Sequence, residues 1–416
     1  MRTRRLLQGL VGLSIAGSGC APQLASNDGG DSLGTLLATA SEISSNQPTP
    51  ASSVDPDSLP APVGSESSGP LGKVERFSVL GNVTAGEYAL FRLGPSAAGD
   101  HWTIAPSERL SGAVVAALFD ADQNLVAREL LFDRLPLEHI VREPTAELYL
   151  GLMTPGAKSA AGFNLVAERQ AGEVVPAPRP QVVFLNFAGA ADARVSNRSG
   201  LDFPAFDGSM LGPDYAGATA QIKQAVIALM REDYRAYNVQ IVSSDDGSPP
   251  AGEYSTVHFG ASEPGLLGLA DDVDPYNEQP VQNAIVYVRN FEPYKTMRLS
   301  PDEMAVMVAN VASHELGHLL GLYHTSDPND VMDTTGSAWD LAGEQAFSRA
   351  ALEPSVFLFG MEDSARLLAF SVGENPGAKD ANGKVSRPLA ERFAAIRKLA
   401  QRELPHGCGT CARLDQ

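Results

Sequence analysis

His314-Glu315-Leu316-Gly317-His318-Leu319-Leu320-Gly321-Leu322-Tyr323-His324 sets three imidazoles and one carboxylate in a single short stretch. Residues four apart on a helix share a face about one turn apart, so His314 and His318 can grip the same metal ion. Glu315 follows the first of them, close enough to reach a water on that ion without ligating it. Gly321 can take the left-handed conformation that ends a helix, turning the chain back so that His324 reaches the ion. Imidazole suits zinc, and three protein ligands leave a fourth position for water, as in catalytic rather than structural zinc sites. The stretch reads as a hydrolytic centre on one zinc ion.

The residues upstream predict the helix that carries this centre. Ser300-Pro301-Asp302-Glu303 supplies an N-cap serine, a proline at the first helical position and a capping-box glutamate. Asp302 and Glu303 complement the positive end of the helix dipole. From Met304 to Leu320 the one breaker is Gly317. Ala305, Val308, Ala309, Ala312, Leu316 and Leu319 recur at helical spacing and would pack on a sheet. Met307, Val311, His314 and His318 share a neighbouring face, which puts the metal at the margin of the core.

The spacing H-E-x-x-H-x-x-G-x-x-H resembles the signature of the metzincin clan of zinc peptidases. Met332 follows His324 with Asp327-Pro328 between them, an arrangement most similar to the matrixin branch. The resemblance implies an α+β fold whose metzincin-like catalytic domain combines a mixed twisted sheet with a zinc-ligand helix. It implies His314, His318 and His324 as ligands of one catalytic zinc, Glu315 as general base, and Met332 as the floor of a Met-turn beneath them. Related enzymes also hold structural calcium, and the oxygen-rich loop with Asp271, Asp272, Asp274, Asn277 and Glu278 is either such a site or a solvated acidic loop. His258 is the other histidine of this region, so the second, structural zinc of matrixins is not expected. After the Met the chain reads Met332-Asp333-Thr334, where matrixins continue with tyrosine and proline.

Arg2, Arg4 and Arg5 precede an apolar run from Leu6 to Ala16 and then Gly17-Ser18-Gly19-Cys20. A basic start, a short apolar run and small residues make a secretory signal over 1–19, too short for a permanent membrane span. Cys20 directly after small residues resembles the lipobox of bacterial lipoproteins, which implies acylation at Cys20 and anchoring to the lipid bilayer on the extracytoplasmic side; plain secretion is the alternative. Cys408 and Cys411 then remain, and an oxidising compartment points to a local disulfide between them. The formal charge is −19 over 416 residues, which argues against nucleic acid and anionic surfaces as partners.

Residues 20–72 are rich in Ser, Pro, Gly, Asn and Asp and read as a flexible tether. Over 73–171, short apolar runs such as Tyr88 to Leu93, Ala113 to Phe119 and Leu148 to Leu152 alternate with turn clusters, predicting a small β-sandwich that serves as a spacer or a ligand-binding module. Val174 to Pro180 forms a stiff joint. The peptidase domain follows over 180–372: strands at Gln181 to Phe187, Val239 to Val242, Ser255 to Phe259 and Ala284 to Val288, and a helix from Ala218 to Tyr234. The cleft is expected beside the last strand, whose free edge could pair with an extended peptide. Beyond it, 373–416 carries an amphipathic helix with Leu389, Phe393, Ile396, Leu399 and Leu404, and then the two cysteines.

Together these readings predict a zinc metalloendopeptidase acting on extracytoplasmic protein or peptide substrates. The alternative is a surface-anchored zinc-binding or adhesion lipoprotein that cleaves nothing. Oligomeric state is not legible in the sequence.

Overall fold

The computed structural model describes residues 63–69, 72–131, 135–155 and 160–378. The expected signal segment 1–19, Cys20, the C-terminal amphipathic helix and the Cys408 and Cys411 pair lie outside these residues. Nine strands come first: β1 (Val63–Gly69), β2 (Gly72–Thr84), β3 (Tyr88–Ser96), β4 (His101–Pro106), β5 (Val114–Phe119), β6 (Leu125–Leu131), β7 (Leu137–Ile140), β8 (Thr145–Met153) and β9 (Ala160–Gln170). They form two antiparallel sheets, in the orders β1-β2-β9-β4-β7 and β3-β8-β5-β6. Side chains alternate between the faces of a pleated strand, and Val79, Trp102, Ile104, Leu118, Leu150 and Leu165 meet in one core between the sheets. Trp102 Nε1 donates to Ser96 Oγ at 2.9 Å, which allows the indole to be wholly buried.

β5 is apolar throughout because both of its faces are covered. Val114, Ala116 and Leu118 point into the core just described, while Val115, Ala117 and Phe119 join a second cluster with Leu352, Val356 and Phe357. Part of the stretch expected as tether is instead a strand: β1 pairs antiparallel with β2 from Val63↔Ser78 to Gly69↔Gly72. Backbone pairing to a sheet edge orders a Gly/Ser-rich segment that its apolar content alone would not. β4 and β7 lacked a sequence signal because each buries few side chains, Trp102 and Ile104 on one, Leu137 and His139 on the other.

The second half is built on β10 (Gln181–Asn186), a hairpin of β11 (Ala190–Val195) and β12 (Arg198–Phe203), helix α1 (Thr219–Asp233), β13 (Val239–Ser243), β14 (Ser255–Gly260), β15 (Gly268–Ala270), β16 (Asn283–Tyr287) and helix α2 (Pro301–Leu319). The sheet order is β13-β10-β14-β16-β15; β15 alone runs antiparallel. Strand β16 shows why the apolar runs are continuous. Ala284 and Val286 face α2, while Ile285 and Tyr287 face Val195 and Phe203 of the hairpin. The expected free edge of β16 is not free. It is covered by β15, a three-residue strand too short to show periodicity, so the edge strand beside the cleft is β15.

Helix α2 begins as the sequence predicts. Ser300 accepts from the Glu303 backbone N–H while the Glu303 carboxylate accepts from the Ser300 N–H, and Pro301 stands at the first position. Every residue from Met304 to Leu319 is buried, so the helix lies through the core rather than over it. After it come a short helix α3 (Ala338–Leu341), strands β17 (Arg349–Ala351) and β18 (Met361–Asp363), and helix α4 (Ser364–Val372). The described region is thus a mixed helix-and-sheet fold.

Candidate metal centre

The C-terminal half of α2 presents His314, Glu315 and His318, and the helix then ends in a Schellman turn. Gly321 N–H donates to the His318 carbonyl at 2.9 Å and Leu322 N–H to the Gly317 carbonyl at 3.0 Å. Gly321 has φ +96°, and a Cβ there would also lie 2.7 Å from Pro275 Cα, so both conformation and space require glycine. The turn carries His324 back against the helix. The three rings lie with centroids 4.7 to 5.1 Å apart, and one nitrogen from each falls within 4.8 Å of the others. His318 Nε2 and His324 Nε2 approach to 3.1 Å. All three are buried.

Backbone carbonyls orient two of the rings. A carbonyl only accepts, so His314 Nδ1–H donates to Val331 O at 2.8 Å and His318 Nδ1–H donates to Leu322 O at 2.8 Å. Each Nε2 is left with a lone pair directed inward, the arrangement that outer hydrogen bonds impose on metal-ligating histidines. Burial holds His314 well below the usual imidazole range, with His318 adding repulsion. Burial likewise pushes His318 down to about 4 and holds His324 well below its ordinary value. Neutral imidazole is the ligating form, so the donor set suits a divalent cation at neutral pH.

Glu315 is fully buried, and both of its carboxylate oxygens lack a hydrogen-bond partner. Burial drives its carboxyl well above the ordinary range. A buried, unpartnered carboxylate is costly unless a cation or proton donor belongs beside it. Three converging imidazole nitrogens, the first followed on its helix by an orphaned acid, therefore fit a bound metal and a polar ligand. Gly268 makes room for this acid: a Cβ there would lie 2.3 Å from Glu315 Oε1. Neither Gly268 nor its strand carried a sequence signal.

Met332 is buried beneath the helix, and a Cβ on Gly317 would lie 2.5 Å from its sulfur. The turn around it is fastened by Asp330, whose carboxylate accepts from Met332 N–H at 2.7 Å and from Ser348 N–H at 2.9 Å. Thr325 N–H donates to the Met332 carbonyl at 2.9 Å, which ties the third histidine's segment to the same turn. A pocket of about 60 Å³ opens beside His314, walled by Leu267, Val311, Val331, Ala338 and Leu341. Asn310 Nδ2 fixes its far wall, donating to the carbonyls of Leu341 and Gly343 at 2.8 Å each. The outer edge of β15 has no strand partner among the described residues.

Other expected features fall elsewhere. His258 sits on β14 against Asn186 and Phe203, away from the three histidines. The acidic loop is occupied by the chain itself: Asp271 accepts from Ser196 and Asn283 N–H, and Asp274 from Glu278 and Gln279 N–H. These carboxylates cap backbone rather than converge, and the loop gives no support to calcium. Among the described residues His314, His318 and His324 form the group with metal-binding geometry.

Residues 231–342 match the family model described as Matrixin. No curated protein matches the chain. Among solved structures, archaemetzincin from Methanopyrus kandleri aligns at 19% identity over 41% of this chain and 91% of its own, with a TM-score of 0.23. A periplasmic inhibitor of g-type lysozyme from Aeromonas hydrophila aligns at 11% identity over 23% of this chain and 86% of its own, with a TM-score of 0.19. Residues 231–342 thus resemble a matrixin segment, and they are the residues that carry the three histidines and Met332.

Proposed function

We propose that the protein is a zinc-dependent metalloendopeptidase in which Glu315 is the general base. The observation that carries this reading is the convergence of His314, His318 and His324 beside a buried carboxylate with no partner of its own. Zinc, when bound, supplies Lewis acidity that polarises a carbonyl and makes water a competent nucleophile near neutral pH. Glu315 accepts the proton of the attacking water and passes it to the amine nitrogen as the peptide bond breaks. Its burial favours this exchange, because a carboxylate away from bulk water is a stronger base. The apolar pocket beside His314 takes one side chain of the substrate, and the unpaired edge of β15 can receive an extended peptide by backbone pairing.

We further read the paired N-terminal sheets as a β-sandwich module and Cys20 as a lipid anchor that puts the enzyme on the extracytoplasmic face of a membrane, or releases it if unacylated. No helix among the described residues is long and apolar enough to cross a membrane. Incubation with casein, with and without a chelator, separates a peptidase from an adhesion protein. Glu315→Gln is expected to keep its zinc and lose turnover; a variant that cleaves at the wild-type rate removes Glu315 from the mechanism.

A further inference from the structure

The four-stranded N-terminal sheet packs behind the turn that carries His324. On its outward face the Phe119 ring meets Phe357 at 5.1 Å and Phe359 at 5.3 Å between centroids, and Tyr88 stacks on Phe359 at 5.7 Å. Gly151 gives this wedge its seat, since a Cβ there would lie 2.7 Å from Phe357 Cζ. The docked segment holds the ligand arm in turn. Glu353 N–H donates to the His324 carbonyl at 3.0 Å, and the Glu353 carbonyl accepts from Val356 and Phe357 N–H at 2.8 and 3.2 Å. Arg128 completes the contact, donating from Nε to Val356 O at 2.9 Å with its guanidinium 5.7 Å from the Tyr323 ring.

A separate contact reaches the other side of the same turn. Tyr276 inserts its hydroxyl into the N-terminal half, donating to Val126 O at 2.6 Å, with the Arg142 guanidinium 4.1 Å over its ring. Its φ of 66° is one that a bulky residue adopts only when its surroundings impose it. The residues just before it brace the end of α2. Asp274 N–H donates to the His318 carbonyl at 3.0 Å, and Pro275 closes against Gly321.

We propose that the N-terminal sheets position His324 for metal binding, through Phe357 on one flank and Tyr276 on the other. The proposal rests on the metal reading of the three histidines and gives the sheets a role that neither spacer nor ligand-binding module describes. A third ligand on an untethered turn loses conformational entropy when it closes on an ion; one held from both sides has lost it already. Phe357 and Tyr276 are positioning residues, since neither touches the site itself.

The test measures zinc affinity of the full chain by competition with a chromophoric chelator, together with the visible absorption of the cobalt-substituted protein. Phe357→Ala and Tyr276→Ala are each expected to weaken zinc by about tenfold or more, as removal of groups that orient metal ligands does, and to alter the cobalt bands. Val79→Ala, a deletion in the core between the two sheets, should lower the melting temperature yet leave zinc affinity within about twofold of wild type. A folded Phe357→Ala protein with wild-type affinity overturns the proposal, and so does Val79→Ala losing zinc in step with its stability. If Phe357→Ala fails to fold, Tyr276→Phe decides: it removes only the hydroxyl bonded to Val126, and about threefold weaker zinc binding supports the proposal where no change overturns it. Wild-type protein that binds zinc tightly but cleaves no peptide sinks the peptidase reading and leaves this one standing; wild-type protein without zinc affinity overturns both.

Discussion

Replacing Gly268 by alanine isolates the position of the Glu315 carboxylate. The new Cβ would lie 2.3 Å from Glu315 Oε1 and 2.6 Å from both Cδ and Cγ. Gly268 is not among the positive-φ residues, so alanine adds bulk there without backbone strain. Van der Waals contact then requires the carboxylate to retreat by about 1 Å, a misplacement that costs about 100-fold in rate. That loss corresponds to about 2.7 kcal/mol of transition-state stabilisation. Crowding at a buried position should also lower folding stability by about 1–3 kcal/mol. The three imidazoles are untouched, so zinc content should remain at the wild-type level. The assay is kcat/KM on a quenched fluorescent peptide, with zinc measured on the same sample and Glu315→Gln as the floor. Full zinc with kcat/KM within about threefold of wild type would refute the claim that β15 sets where the Glu315 carboxylate sits.

Two further outcomes follow from burial and packing. Gly317→Ala would ordinarily stabilise a helix by about 1 kcal/mol, but here the Cβ would press on the Met332 sulfur at 2.5 Å. It should therefore destabilise by about 1–3 kcal/mol in a denaturant melt; a more stable variant would show that Met332 does not pack beneath the helix. His139 is held down to about 3 by burial, then by Arg142 and His101, against about 6.5 for an unfolded chain. The folded value is the lower one, so the unfolded chain binds more protons between them. The contribution is intact above about pH 6.5 and declines as pH falls towards 3, at about 1.4 kcal/mol per pH unit. His139→Gln should flatten that decline, and parallel wild-type and variant profiles between about pH 6 and 4 would contradict it.

How legible the site was depended on how local its signals are. The capping box at Ser300, the four-residue spacing of His314 and His318, and the glycine at 321 all act within one or two turns of chain, and each is formed as read. The parallel strands were readable because burial on both faces leaves continuous apolar runs such as Val182 to Leu185. β15 was not, because three residues carry no periodicity and its partner lies in a later strand. With it went Gly268, whose importance appears only when Glu315 is packed against it. The acidic loop left two readings open for a related reason: Asp271 and Asp274 are clustered in sequence, yet each caps a different piece of backbone. The docking of Phe357 on Phe119 joins residues more than two hundred positions apart, and the apolar run at β5 announced burial on both faces without naming the second partner. Such contacts belong to tertiary structure, where local pattern has no reach.

Zinc content per chain decides whether the three ring nitrogens hold one metal ion. Elemental analysis of the purified full chain, dialysed to remove loosely held metal, should find about one zinc in the wild type and almost none after His318→Ala. Wild-type protein that retains no zinc, or a folded His318→Ala variant that retains as much as wild type, would show that these histidines do not form a metal site.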